Sequence, residues 1–262
     1  MLAPNIDPII LKIGTLQISY YALVYIAGFL AVLFVIKNAI KEKELNLKNE
    51  QVYDLVIFLI LGALLGARIF HILFWNLSYF AANPGKLFHV WEGGLSFHGG
   101  LFGALLAAAI YTKRKKINFW KLADLLTLPA IFFLALGRIA NFINQEIVGT
   151  ITNFPFCFNF KSHEGCRHPI QLYAAAARFA LFFFLLYVKK SLKKSQHGFL
   201  FWLSIFGLGL GRFFLDFLRE DAIYSGLKTG QWFSLVMVLV GIYALVKFHK
   251  KDLKYFFKNE PL

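Results

Sequence analysis

The chain has 262 residues, of which 58% are hydrophobic and 18% aromatic, while only 16% are charged. Long uncharged windows and a mean hydropathy of +0.61 exclude an ordinary soluble domain and indicate a membrane protein. Two cysteines are too few for a disulfide scaffold. The net charge of +14 does not indicate a nucleic-acid partner, because the basic residues lie between the apolar runs.

Seven apolar runs are long enough to cross a bilayer as helices, which need roughly 20 residues each. They predict an all-α polytopic membrane protein with seven transmembrane helices and a single integral membrane domain over residues 1–262. The predicted spans are 18–36, 52–75, 95–112, 121–143, 169–188, 198–216 and 231–247.

Basic residues between the spans predict the orientation of the chain. The connections 37–50, 113–121, 189–197 and 247–262 carry 18 Lys and Arg, whereas 1–17, 76–94, 144–168 and 217–230 carry 6. Cytoplasmic loops hold the excess of Lys and Arg in membrane proteins. We therefore expect the N-terminus to face outward and the C-terminus to lie in the cytoplasm.

Residues 144–168 form the longest outward connection, and they are rich in aromatic and polar residues. A long loop of this composition predicts a small folded extracytoplasmic head or cap. Cys157 and Cys166 both lie in it. In an oxidising compartment they could form a disulfide, and two free thiols are the alternative.

Polar residues inside the spans converge at one depth, that of the outer leaflet. Five spans place them there: Tyr20, Tyr21, Arg68, His71, Ser96, His98, Arg138, Asn141, Arg212 and Asp216. An ionisable group in hydrocarbon is costly and is a functional hypothesis by default, although a single Arg or Tyr can also belong to the membrane interface. Because guanidinium groups suit phosphate, we expect a phospholipid-headgroup site that opens to the outer leaflet.

Spacing within two segments sharpens this hypothesis. Arg138 and Asn141 are i and i+3 on one helix face, and Glu146 follows where the helix is expected to unwind. Arg212, Asp216 and Arg219 are i, i+4 and i+7, which predicts one stripe on which Asp216 holds both guanidiniums. Arg178 lies near mid-membrane, and the sequence assigns it no partner.

The segment GRIANFINQEIVG (137–149) resembles the signature of prolipoprotein diacylglyceryl transferases, G-R-x-[GA]-N-F-aliphatic-N-x-E-x-x-G, and meets every fixed position. Other segments agree in order along the chain, namely DPIILKIGTLQISYYALVYIAGF, GARIFHILFWN, EGGLSFHGG, HPIQLY and GRFFLDFLRED. The resemblance covers essentially the whole chain. It implies a seven-span enzyme of the bacterial inner (cytoplasmic) membrane, with its active site facing the outer leaflet and periplasm.

The resemblance implies transfer of the sn-1,2-diacylglyceryl group from phosphatidylglycerol to the lipobox cysteine thiol of a prolipoprotein, the first step of bacterial lipoprotein maturation. A thioether forms and glycerol phosphate leaves. The implied partners are phosphatidylglycerol, the prolipoprotein signal peptide with its lipobox, and membrane lipids. Predicted catalytic residues are His98, Arg138, Arg212 and Glu146, and predicted substrate-binding residues are Arg138, Asn141, Tyr21, Arg68, Asp216 and Arg219.

Three positions depart from the family pattern. Asp216 stands where relatives often carry Glu, Leu208 where they often carry Tyr, and Ala174 where they often carry Glu. Asp216 keeps the negative charge, so a clamp on the arginines remains feasible. Leu208 removes a hydroxyl and leaves that position without a polar role.

The chemistry needs a base and an anion site. A thiol of pKa about 8.5 must lose its proton to become a good nucleophile. Arg138 and Arg212 can neutralise the departing phosphate in a site of low dielectric constant. His98 is the expected base, and Glu146 is the alternative. We expect no metal and no cofactor, since HExxH and CxxC motifs are absent from the sequence.

A phospholipid transporter or flippase without covalent chemistry is the alternative function. It would place polar residues along a path across both leaflets, whereas the inner half of the predicted spans is nearly apolar. A purely structural or lipid-binding membrane protein would not need His98 beside paired arginines. The sequence therefore favours the transferase.

Overall fold

The computed structural model describes residues 1–3, 6–13, 16–89, 93–192 and 195–258. The long helices are α1 (Tyr20–Lys41), α2 (Asn49–Trp75), α4 (Phe97–Lys115), α5 (Phe119–Ile143), α6 (Ile170–Ser191), α7 (Phe199–Leu215) and α8 (Thr229–Phe248). Shorter elements are the helices α3 (Leu77–Ala82) and α9 (Lys250–Lys258), and 3₁₀ helices at Pro84–Phe88 and Asp216–Leu218. Strands β1 (Ile9–Ile13) and β2 (Leu16–Ser19) pair antiparallel, as do β3 (Ile223–Tyr224) and β4 (Leu227–Lys228).

Within the described residues, six helices are long and apolar enough to cross a membrane: α1, α2, α5, α6, α7 and α8. They coincide with six of the seven predicted spans, which supports a polytopic membrane protein. The remaining span, 95–112, falls on α4. This helix is less apolar because its last turn carries Lys113, Arg114 and Lys115. A seventh span at α4 and a single membrane domain stay predictions.

The described chain divides into two compact units. The larger unit comprises Met1–Ala31 and Ala123–Leu262, and the smaller unit comprises Val32–Leu122. In the smaller unit, α2 and α4 approach closely through glycines. A methyl group at Gly62 would overlap the carbonyl oxygen of Gly103, and one at Gly66 would overlap that of Gly99. Small residues of this kind allow membrane helices to pack with their backbones in contact.

The larger unit has an apolar core between α5, α6, α7 and α8. Its buried members are Ile131, Leu185, Val188, Leu192, Phe199, Leu200 and Leu245. Leu208 packs against this core. The position where relatives often carry Tyr is therefore part of the hydrophobic interior in this chain, which agrees with the loss of its hydroxyl.

A half-buried carboxylate holds the first turn of α7. Asp124 on α5 accepts hydrogen bonds from the backbone N–H groups of Gly198 (2.6 Å) and Phe201 (2.8 Å). These N–H groups have no partner within the helix, so an acceptor from another helix satisfies them. The bond fixes α7 against α5, and these two helices carry Arg212 and Arg138.

Residues 144–168, the cap segment, form a folded loop of the larger unit. Cys157 and Cys166 are joined by a disulfide, with their Cα atoms 5.5 Å apart, so the first of the two expected alternatives is the one formed. A small hydrophobic cluster of Ala3, Phe142, Val148 and Phe160 lies beneath the loop. Arg167 forms an ion pair with Glu220 and donates a hydrogen bond to the carbonyl oxygen of Gly149 (3.1 Å). The cap segment is thereby attached to the chain that follows α7.

Candidate active site

A chain of hydrogen bonds joins three of the predicted site residues at the end of α5. Arg138 Nη1 donates to Asn141 Oδ1 (3.3 Å), and Asn141 Nδ2 donates to Glu146 Oε1 (2.6 Å). Asn141 is only 4% exposed, so its amide has one orientation in which both bonds are made. Asn144 Nδ2 also donates to Glu146 Oε1 (3.2 Å). Glu146 thus orients Asn141, and Asn141 orients the guanidinium of Arg138.

The backbone leaves the helix just before Glu146, as the sequence predicts. Helix α5 ends at Ile143, and Gln145 and Ile147 have φ values of 55° and 58°. A β-branched residue rarely adopts this left-handed conformation, and such strain is typical of functional sites. The side chain of Gln145 accepts a hydrogen bond from the backbone N–H of Lys161 (2.8 Å). It therefore stabilises the cap segment.

The second predicted arginine lies at the end of α7. Arg212 Nε contacts Asp216 Oδ2 at 3.4 Å, and Asp216 is 4% exposed. The carboxylate lies against Gly230 at the beginning of α8, where a methyl group would overlap Asp216 Oδ2 and come within 3.2 Å of Arg212 Nη2. A glycine at this position allows the close approach of α8 to the ion pair.

Lys228 fixes the turn that follows Asp216. Its ammonium donates to the carbonyl oxygens of Asp216 (2.7 Å) and Phe217 (3.1 Å), and also to that of Arg219. Three carbonyls of a 3₁₀ turn are thereby satisfied by one side chain. Asp216 is positioned through its backbone as well as through Arg212.

Arg219 does not continue the helical stripe that the spacing predicts. Helix α7 ends at Leu215, a 3₁₀ turn follows at Asp216–Leu218, and the backbone of Arg219 is extended. Arg219 Nε instead forms an ion pair with Asp221 Oδ2 at 2.9 Å. The expectation that Asp216 holds both guanidiniums on one stripe is wrong for Arg219, because the i+7 relationship requires a continuous helix.

Arg138, Arg212 and Arg219 nevertheless line one cavity, together with Arg178. The space inside it, counting the part that is open to solvent, is about 370 Å³. Its remaining lining is Asp216, Gln171 and the aliphatic side chains of Ile147, Ile170, Ala174 and Leu215. Arg138 interacts electrostatically with Arg212, Arg219 and Asp216. Four arginines and one aspartate leave an excess of positive charge on the wall. An anionic group is the complement of such a cavity.

Tyr21 lies in the first turn of α1, and it is joined by a tyrosine that sequence reasoning missed. Tyr25 donates to Tyr21 through their hydroxyls (3.3 Å), and their rings meet edge to face at 5.0 Å. Tyr25 interacts electrostatically with Arg138 and Glu146, as Tyr21 does with Arg138. The signal was the i, i+4 spacing, which puts both hydroxyls on one helix face.

Arg68 and His98 lie in the smaller unit. All five N–H groups of Arg68 donate to backbone carbonyls, those of Lys86, Leu87, His89, Gly93 and Gly94. Arg68 is 7% exposed, and these bonds describe a residue that holds the connection between α3 and α4. Its predicted contact with substrate stays a prediction, and it would require some of these bonds to be exchanged.

His98 is half-buried in the first turn of α4. The turn begins at Ser96, whose hydroxyl accepts a hydrogen bond from the backbone N–H of Gly99 (3.4 Å), and Ser96 is itself buried. The backbone that carries His98 therefore begins at a capped helix end. Its role as a base stays a prediction.

The comparison with protein families gives a match over residues 8–247 to the model described as prolipoprotein diacylglyceryl transferase. The phosphatidylglycerol–prolipoprotein diacylglyceryl transferase of Geobacter sulfurreducens is 40% identical over 91% of this chain and 94% of its own length. Proteins of the same name from Pasteurella multocida and Vibrio atlanticus are 38% and 35% identical, over 90% and 95% of this chain and 87% and 93% of theirs. With a family match over most of its length and relatives at this identity, the chain belongs to the prolipoprotein diacylglyceryl transferase family.

Proposed function

We propose that this protein transfers the sn-1,2-diacylglyceryl group of phosphatidylglycerol to the lipobox cysteine thiol of prolipoproteins. The observation that carries the proposal is the arginine-lined cavity, in a chain whose relatives bear the name of this activity. The sulfur attacks the carbon of the acylated glycerol that is bonded to a phosphate oxygen, and this carbon–oxygen bond breaks. The products are a thioether and glycerol phosphate. The relatives' name gives no support to the transporter alternative.

Arg138 and Arg212 bind the phosphate of the lipid. Each is held by a side-chain acceptor, Asn141 for Arg138 and Asp216 for Arg212. An arginine already oriented by a partner loses less side-chain entropy when it forms a bidentate bond to phosphate. In a cavity surrounded by hydrocarbon, two such groups stabilise the charge that accumulates on the departing phosphate.

The other predicted residues act within their own unit. Asn141 and Glu146 orient Arg138, and Tyr21 with Tyr25 adds hydroxyls beside it. Arg219 lines the cavity from the turn after α7. Arg68 holds the connection that leads into α4, and His98 lies in the first turn of that helix.

His98 or Glu146 removes the thiol proton. Glu146 is exposed, but two amides donate to its Oε1 atom. That oxygen is therefore already engaged in orienting the amides of Asn141 and Asn144. This arrangement favours His98, whose imidazole has a reference pKa near neutrality.

The orientation expected from the basic connections places this chemistry on the periplasmic side of the bacterial inner membrane. In that orientation the ends of α5 and α7 that carry Arg138 and Arg212 lie at the outer leaflet. The cap segment, 144–168, is then the periplasmic head. Its disulfide agrees with an oxidising compartment.

The test is incubation of the purified protein with phosphatidylglycerol and a lipobox peptide, followed by mass spectrometry. We expect the peptide to gain the mass of a diacylglyceryl group on its cysteine. A peptide with serine in place of that cysteine is the control. If lipid moves between leaflets of proteoliposomes and the peptide mass never changes, the transporter alternative replaces the proposal.

A further inference from the structure

Two buried polar atoms, on residues that line the arginine cavity, have no hydrogen-bond partner in the described chain. They are Oε1 of Gln171, an acceptor, and Nε of Arg178, a donor. Both residues line the arginine cavity, and both belong to α6. Buried polar atoms are nearly always paired in folded proteins, because an unpaired one costs about 1–3 kcal/mol. Two of them in one cavity therefore indicate a ligand.

The orientation of the Gln171 amide follows from its other bond. Nε2 of Gln171 donates to the backbone carbonyl of Glu146 (2.7 Å). A carbonyl can only accept, so the nitrogen must face it and Oε1 must be the atom left over. Gln171 is 1% exposed, which leaves a ligand in the cavity as the source of a donor.

Arg178 lies two helical turns further along α6, on the same face as Gln171. Its Nη1 donates to the carbonyl oxygen of Ala174 (2.8 Å), so the guanidinium bends back toward Gln171. The side chain at position 174 between them is a methyl group, and Ala174 also lines the cavity. The face of α6 that carries Gln171, Ala174 and Arg178 thus presents one hydrogen-bond acceptor and one cation. Only the small side chain of Ala174 lies between them.

Among the described residues that act on the charge of Arg178, like charges outnumber opposite ones. It interacts electrostatically with Arg138 and Arg212, which repel it, and with the single carboxylate of Asp216. A group that brings one or two negative charges into the cavity would relieve this repulsion. A phosphate ester is such a group, and a hydroxyl on its alcohol part would supply the missing donor for Gln171.

We propose that the α6 face of Gln171, Ala174 and Arg178 is the subsite for the glycerol phosphate part of the lipid headgroup. Arg178 contacts the phosphate as a third arginine, and Gln171 Oε1 accepts a hydrogen bond from a glycerol hydroxyl. The inference rests on the proposed function, because it assigns the leaving half of phosphatidylglycerol to these residues.

The charge of the leaving group explains the need for a third arginine. The thiol proton passes to the base, the sulfur–carbon bond forms, and the carbon–oxygen electron pair stays on the phosphate oxygen. A phosphodiester with one negative charge thereby becomes a monoester, whose second pKa is about 6, so it carries close to two charges at neutral pH. A cation beside the phosphate interacts most strongly with the second negative charge, which develops as the carbon–oxygen bond breaks. It therefore lowers the barrier more than it strengthens substrate binding.

The Gln171 half is tested with phosphatidylglycerol and phosphatidylethanol, which carries the same charge but no headgroup hydroxyl. We expect the unmodified protein to prefer phosphatidylglycerol by about tenfold, as the loss of one hydrogen bond to a buried acceptor implies. In Gln171→Met the preference disappears, whatever happens to the rate. If Gln171→Met lowers both rates equally, Gln171 only supports Glu146 and its assignment to the hydroxyl is wrong.

The Arg178 half is tested by product inhibition with sn-glycerol 1-phosphate. Arg178→Met is expected to lower kcat more than it raises KM and to raise the inhibition constant about tenfold, with partial recovery in Arg178→Lys. Arg114→Met, at an exposed position of α4, is the matched control and should leave both unchanged. If thermal unfolding is altered in Arg178→Met while the inhibition constant is unchanged, Arg178 is a structural residue and the subsite is refuted.

The proposed function and the subsite on α6 can be refuted separately. If the unmodified protein produces no diacylglyceryl peptide, the proposed function is wrong. If it produces the peptide, but lipid preference and product inhibition do not depend on Gln171 and Arg178, the function stands and the subsite on α6 does not.

Discussion

The carboxylate of Asp216 lies directly against Gly230, with no room for a methyl group between them. Gly230→Ala would push the carboxylate away from Arg212 and move the guanidinium with it. A displacement of about 1 Å at a catalytic group can cost up to 100-fold in rate, so we expect a loss of at least roughly tenfold in diacylglyceryl transfer. Gly211→Ala on α7 is the control, because nothing lies within 4 Å of the added methyl group. Equal rates for the two variants would contradict the proposed packing.

Arg138 and Arg212 are expected to be indispensable. Arg138→Ala and Arg212→Ala should each lower transfer by roughly 100-fold or more. Each variant removes a positive charge that would stabilise the departing phosphate. Arg→Lys should recover little, because an ammonium does not reproduce a bidentate fork. Lys113→Ala, at the basic end of α4, should leave activity normal. Near-normal transfer by a correctly folded Arg138→Ala protein would remove the phosphate site from the mechanism.

The identity of the base is accessible from the pH dependence of two variants. If His98 takes the thiol proton, His98→Gln loses most activity at neutral pH and regains part of it as the pH approaches the thiol pKa of about 8.5. Glu146→Gln should then show a similar loss at every pH, because it only disorients Asn141 and Arg138. Alkaline recovery in Glu146→Gln with a flat profile for His98→Gln would reverse the assignment.

The disulfide and the orientation of the chain can be tested together. Cys157 and Cys166 are bonded to each other and lie in the cap segment. In spheroplasts, a membrane-impermeant maleimide should therefore label the protein only after reduction. Labelling without reduction would show free thiols, and labelling only after membrane lysis would place the cap in the cytoplasm. An alkaline phosphatase fused after the C-terminus should be inactive in the same cells.

Hydrophobic periodicity and the distribution of charge are sufficient to predict the positions of the helices and the end of α5. The apolar runs are long, and the basic connections separate them clearly, so helix positions follow from local sequence alone. The unwinding before Glu146 follows from the polar composition of the next segment. In α4, the cations of the last turn reduce the apolar character that a membrane span requires.

Contacts between distant segments were beyond the reach of spacing rules. Arg68 looks like a headgroup ligand in the sequence, but its acceptors are carbonyls 18 to 26 residues away in a loop without periodicity. The i, i+4, i+7 spacing predicts Arg219 on a helical stripe with Arg212, but α7 ends at Leu215. The importance of Gly230 arises only when α7 packs against α8, and that of Gln171 only when α6 meets the end of α5.

The most direct test of the account follows the two glycerols of phosphatidylglycerol separately. One lipid carries ¹³C in the glycerol that bears the acyl chains, and the other carries it in the headgroup glycerol. We predict that the first label appears on the cysteine of the lipobox peptide and the second in water-soluble glycerol phosphate. Headgroup label on the peptide, or both labels on it, would mean that a different bond is broken and would contradict diacylglyceryl transfer at the arginine cavity.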